Sequence, residues 1–210
     1  MNNYEIAKEN ARPYFLKYDQ EAIIRRFRLE HDAEYLYLDF CGSHFRIARA
    51  TGEVERAADG GSGFAGTVVP ADFEETLSIY DILCYSRPDA SLSGRWSLVN
   101  SLPGVGQNNG LGDNAVQRYE KEIDEKQEAF RRACLALGGR EVPMGDIGYE
   151  IPVFPFFPMR LRFYCADEEF PAQLSILFDE NTLCYMHYET TYYVVNCLMR
   201  SIHKRMEEEG

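Results

Sequence analysis

Long hydrophobic runs, basic surplus and paired cysteines are all missing from this chain, and each absence removes a class of function. No stretch of the 210 residues approaches the ~18 consecutive apolar residues that cross a bilayer. Basic residues are in deficit, with 22 Lys and Arg against 34 Asp and Glu, a formal charge of −12 and a sequence pI near 4.8. Such a field repels nucleic-acid backbones and acidic lipids, so neither nucleic acid nor a membrane is expected as a partner. The six cysteines (Cys41, Cys84, Cys134, Cys165, Cys184, Cys197) include no C-x-x-C pair, and three fall on apolar helical faces, as reduced thiols of a cytosolic core do. The opening Met1-Asn2-Asn3-Tyr4-Glu5 has neither a basic nor an apolar signal region, so the chain reads as cytoplasmic. What is present is ordinary: 45% hydrophobic and 27% charged residues describe a globular protein and exclude disorder.

The apolar spacing predicts blocks of helix and hairpin. Tyr4, Ala7, Ala11, Tyr14 and Tyr18 recur at helical intervals, with Pro13 expected to break or restart that helix after Arg12. Asp19 is placed to cap a short helix running to about Phe27. Leu36, Leu38 and Phe40 share one face of an extended segment, as do Phe45 and Ile47 beyond Cys41-Gly42-Ser43, which predicts a β-hairpin continued by 53–56. Asp72 and Glu75 form a capping box opening a helix to about Tyr85, with Phe73, Leu77, Tyr80 and Cys84 as its expected buried stripe.

Residues 95–99 read as a short strand. Asp113 then opens one long helix with the stripe Val116, Tyr119, Ile123, Phe130, Cys134 and Leu137, closed by Gly138-Gly139 and carrying a Glu122 and Lys126 ion pair. Pro152, Pro155 and Pro158 suggest an irregular or edge segment before strands that alternate over 159–165 and 174–178. A last helix from about Glu189 buries Val195, Leu198, Met199, Ile202 and Met206. The expected fold class is α+β, a single domain over 1–210 with a mainly antiparallel sheet of hairpins and about four to five helices.

Residues with chemical potential are scattered. The glycine-rich stretch 102–112, with Gly104 and Gly106, lies between a strand and a helix, but it has no Gly-Lys-Ser/Thr and no basic residue, which favours a plain connection over a phosphate cradle. Asp167-Glu168-Glu169 reads first as a solvated acidic turn, and Trp96, the only tryptophan, reads first as a core residue on a short strand, with a pocket wall beside Arg95 as the alternative. Two Cys-x-x-His pairs, Cys41 with His44 and Cys184 with His187, would make a zinc site only if the fold joined them; a metal site is not expected.

Ser93-Gly94-Arg95-Trp96, Leu102-Pro103-Gly104, Asp167-Glu168-Glu169-Phe170-Pro171-Ala172 and Ile176-Leu177-Phe178-Asp179 follow one another in an order that, with Tyr80-Asp81-Ile82-Leu83 and Gly138-Gly139, resembles a known pattern. It is similar to a family of prokaryotic proteins, common among anaerobes, known only as a domain of unknown function. Some members resemble fusions to cysteine-rich iron–sulfur modules, so the resemblance implies an accessory role in anaerobic redox or corrinoid metabolism. The chain departs from those fusions in having no four-cysteine cluster motif, and neither a cluster nor a catalytic residue is carried over. The expectation is therefore a cytoplasmic accessory module without catalysis or cofactor, presenting Arg95, Trp96, Gly104, Gly106, Asp167 and Glu169 to a small ligand or protein partner. The alternative is a small metal-dependent enzyme using Asp167, Glu169 and Asp179.

Overall fold

The computed structural model describes residues 10–58, 63–105 and 114–208. It divides into two compact units, Met1–Ala90 with Cys184–Val194 and Ser91–Leu183 with Val195–Gly210. Each holds one five-stranded sheet whose neighbouring strands all run antiparallel, so the α+β expectation holds.

In the first unit, residues 10–15 are helical and lead to α1 (Gln20–Phe27). Pro13 lies inside the helical residues without interrupting them, and the Leu16 N–H bonds to the Arg12 carbonyl across it. The expected start of this helix at Tyr4 lies outside the described residues. Asp19 caps α1 by accepting from Ala22 N, as its position predicts. The sheet follows in chain order: β1 (Glu30–His31), β2 (Tyr35–Phe40), β3 (Ser43–Ala48), β4 (Val54–Ala57) and β5 (Val68–Pro70). Cys41 and Gly42 both take positive φ (49° and 71°), the two-residue hairpin turn whose twist matches the strands it joins. That turn sets Leu36 opposite Ile47 and Leu38 opposite Phe45, and all four are buried.

The capping box at Asp72 and Glu75 is formed, and α2 runs Phe73–Tyr85. Its buried face is only partly the expected one, with Tyr80 buried as expected. Ile79, Ile82 and Leu83 are fully packed, whereas Leu77 and Cys84 of the expected stripe are only partly covered. The helix is apolar on two faces; the β-branched and leucine side chains take the core, and the face through Leu77, Tyr80, Asp81 and Cys84 is left for another role.

The second unit orders its strands as β6 (Trp96–Leu98), β10 (Gln173–Asp179), β9 (Phe157–Tyr164), β8 (Ile147–Phe154) and β7 (Arg140–Glu141). The proline-bearing segment is paired yet irregular, as expected: Pro152 and Pro158 face each other across β8 and β9, with a register shift between Pro152 and Phe154. Strand β7 pairs only with Tyr149 and Glu150, so β8 has an open edge from Pro152 onward, the place in a sheet where proline is tolerated.

The single helix expected over 113–137 is two, α3 (Asn114–Glu125) and α4 (Gln127–Ala136), opened at Lys126 (φ −126°, ψ 43°). Between Ile123 and Phe130, residues 124–128 offer no apolar side chain to hold a continuous turn against the core. The expected ion pair survives, with Lys126 Nζ 2.9 Å from Glu122 Oε1, and Gly138 (φ +76°) ends α4 in the left-handed conformation. The terminal helix α5 (Tyr188–Glu208) buries Val195, Leu198, Met199, Ile202 and Met206 as its spacing predicts; residues 188–194 belong to the first unit, 195–208 to the second.

Candidate functional site

Within the first unit, the second face of α2 borders a cleft of about 270 Å³, closed on other sides by residues 11–18 and by His187, Thr190 and Tyr193. Its chemistry centres on Asp81. One carboxylate oxygen, Oδ1, lies 2.6 Å from Nδ1 of His187; the other accepts the His187 backbone N–H at 2.7 Å and the Thr190 hydroxyl at 2.6 Å. An ionised carboxylate only accepts, so Nδ1 donates to it, and Nε2 is the ring nitrogen that Asp81 does not engage. Asp81 is mostly covered, its side chain 16% exposed, while the His187 side chain is 54% exposed. The imidazole is further held against the Tyr85 ring, with centroids 3.7 Å apart.

Aromatic rings make up most of the remaining wall. Phe15 stacks on Tyr80 at 5.3 Å, and the Tyr80 hydroxyl donates to the Gly52 carbonyl, which fixes the back of the cleft. Tyr14, Tyr18 and Tyr85 stand at the mouth with 65%, 45% and 36% of their surface open, an uncommon exposure for three neighbouring aromatic rings. The Cys84 thiol also lines the space. Burial pushes its pKa up to about 12, with the nearby Asp81 charge adding to the effect, so it is a thiol and not a nucleophilic thiolate.

Four of the six residues expected to form a site, Arg95, Trp96, Asp167 and Glu169, lie at the two ends of one strand in the second unit. Trp96 pairs with Asp179 at the C-terminal end of β10, where Arg95 bridges to Glu180 at 2.6 Å and the Arg160 guanidinium lies 4.3 Å from the Trp96 ring. Asp167 and Glu169 lie in the turn that enters β10 at Gln173, roughly 20 Å away at strand rise. There Asp167 accepts from Glu169 N and Phe170 N, and these bonds hold its carboxyl below the usual carboxylate range, so the exposed acidic turn is organised by its own backbone. Gly104 sits in an exposed turn with φ +91°, and Gly106 lies outside the described residues.

Asp179, the third carboxylate of the enzyme alternative, is fully buried. It accepts from the backbone N–H groups of Ser93, Gly94 and Asn181 and from the Ser93 hydroxyl, at 2.7 to 3.1 Å. Those four donors occupy the lone pairs that a metal or a substrate proton would need. The two Cys-x-x-His pairs do not make a metal centre either: among the described residues no three His, Cys, Asp or Glu side chains are placed to share an ion, and His44 instead meets Asp39 at 2.5 Å.

A family model described as Domain of unknown function (DUF3786) matches residues 19–201. The chain belongs to the DUF3786 family. No curated protein and no solved structure matches it. The family span contains Asp81, Cys84, Tyr85, His187, Thr190 and Tyr193, whereas Tyr14 and Tyr18 precede it. The DUF3786 portion thus supplies the Asp–His pair, and the preceding residues supply much of the exposed aromatic wall.

Sequence reasoning placed no functional weight on this cleft. Two signals pointed to it: Asp81 sits within an otherwise apolar stretch, Tyr80 to Leu83, and His187 closes a Cys-x-x-His pair. Neither identifies the other as its partner.

Proposed function

We propose that this member of the DUF3786 family is a non-catalytic small-ligand-binding module, and that its site is the tyrosine-walled cleft around Asp81 and His187. The observation that carries the reading is the held imidazole: Asp81 engages Nδ1 of a histidine that lines a concave, largely aromatic space, a combination of one positioned polar side chain and apolar walls that suits a small molecule. Binding is favoured over conversion because the one thiol at the cleft is held protonated by burial and Asp81. The accessory role in anaerobic redox or corrinoid metabolism implied by the family resemblance is compatible with such a module. A space of about 270 Å³ is too small to enclose a tetrapyrrole, so a corrinoid link would run through a partner protein or a small metabolite.

Thermal-shift measurements with a panel of small ring-bearing, neutral and ammonium compounds test the reading. A compound that raises Tm in the wild-type chain and fails to do so in both His187→Ala and Tyr85→Ala supports it. A panel whose stabilising compounds act equally on all three proteins contradicts it.

A further inference from the structure

From the charge and ring content of the cleft we infer that its ligand is a small methylated or quaternary ammonium cation; this rests on the ligand-site reading above and adds the chemical class. The lining combines one carboxylate with six aromatic rings besides the imidazole: Tyr14, Phe15, Tyr18, Tyr80, Tyr85 and Tyr193. No lysine or arginine belongs to it among the described residues. An anionic ligand would meet the Asp81 charge with no lining Lys or Arg to offset it, within a chain of net charge −12. With the imidazole neutral, the Asp81–His187 pair carries one net negative charge, which a cation entering the cleft would offset.

Aromatic faces attract cations through their quadrupole, and quaternary ammonium groups are the ligands that clustered rings bind best, since they lose little hydration on entering an apolar space. The wall already shows this preference within the chain: the Lys17 ammonium lies 4.9 Å from the centroid of the Tyr14 ring. A primary ammonium would need hydrogen-bond acceptors for three N–H groups, and three of the roughly four acceptor positions of Asp81 are already taken. Methylation removes that requirement. The volume of about 270 Å³ admits a trimethylammonium head with a short tail, and the lining residues His187 and Thr190 are polar groups that a hydroxyl on that tail could meet.

Isothermal titration of the full chain with choline and with its neutral carbon isostere, 3,3-dimethyl-1-butanol, tests the inference. Choline is expected to bind about tenfold or more tightly than the isostere. Tyr18→Leu and Tyr85→Leu keep apolar surface at partly exposed positions, so they leave the fold intact; each is expected to weaken choline by about tenfold while changing the isostere by less than about threefold. Tyr85→Phe, which keeps the ring, is expected to retain choline binding. Isostere binding as tight as choline overturns the cation inference and leaves the ligand-site reading standing. Failure of choline to bind overturns the inference as well, and the ligand-site reading is then decided by the neutral compounds of the thermal-shift panel.

Discussion

Asp81 is the residue on which the cleft depends, because its two oxygens tie His187 and Thr190 to α2 in three bonds from one mostly covered carboxylate. Asp81→Asn turns one accepting oxygen into a donor facing the groups that already donate, and a charged acceptor lost from such a network costs about 1–3 kcal/mol. A lowered urea midpoint with unchanged slope is expected; an unchanged midpoint would show that the three bonds do not form in solution. Asp179 makes a second, sharper case. Its buried carboxylate answers four donors of the second unit, so Asp179→Ala is expected to destabilise by about 3 kcal/mol or more, as when a buried charged acceptor is removed from its partners. A variant as stable as the wild type would return Asp179 to the list of groups free for chemistry. Cys84, with its thiol pushed up to about 12, is expected to react with a thiol reagent at pH 8 about tenfold or more slowly than in the urea-unfolded chain, judged against Cys84→Ser.

Elements differ in how much of them can be read from sequence, and the reason is the range of the interactions that decide them. The β2–β3 hairpin was legible because period two and a Cys-Gly turn are local, and α1 and α2 because their caps lie within three residues of what they cap. The buried face of α2 was not, since its two apolar faces satisfy the helical period equally and only the rest of the unit selects between them. The break at Lys126 depends on which turns of the helix find a core. The cleft was the least legible feature: Asp81 and His187 are 106 positions apart, and no spacing rule pairs them. On the sheet of the second unit, Glu150 offers a pH test. Burial would push its carboxyl up, but the guanidinium groups of Arg140 and Arg160 outweigh this and hold it below the ordinary glutamate value. A carboxylate depressed in the folded state contributes stability that is complete above its unfolded pKa near ~4.3 and is lost as pH falls toward the folded value. Wild type is therefore expected to exceed Glu150→Gln in urea midpoint by a constant margin above about pH 5, and the margin to shrink below about pH 4.3. A margin unchanged down to pH 3 would contradict the pairing.

At the scale of the whole molecule, the helix α5 contributes residues 188–194 to one compact unit and 195–208 to the other, and the family match spans both. We propose that residues 1–210 unfold as one domain, with a calorimetric enthalpy equal to the van't Hoff value; two resolved transitions would contradict this. The acidic balance of the chain has a local counterpart in the proposed cation site, where the Asp81 carboxylate stands among tyrosine rings. The most direct test of the central claim, that the Asp81–His187 cleft is the ligand site, is chemical-shift mapping of side-chain imidazole and aromatic signals during titration with the compound that most stabilises the chain. The account predicts that His187, Tyr18 and Tyr85 shift together in proportion to occupancy, with Trp96 unmoved. Perturbations centred on Trp96 and the 167–170 turn, with His187 silent, would contradict it.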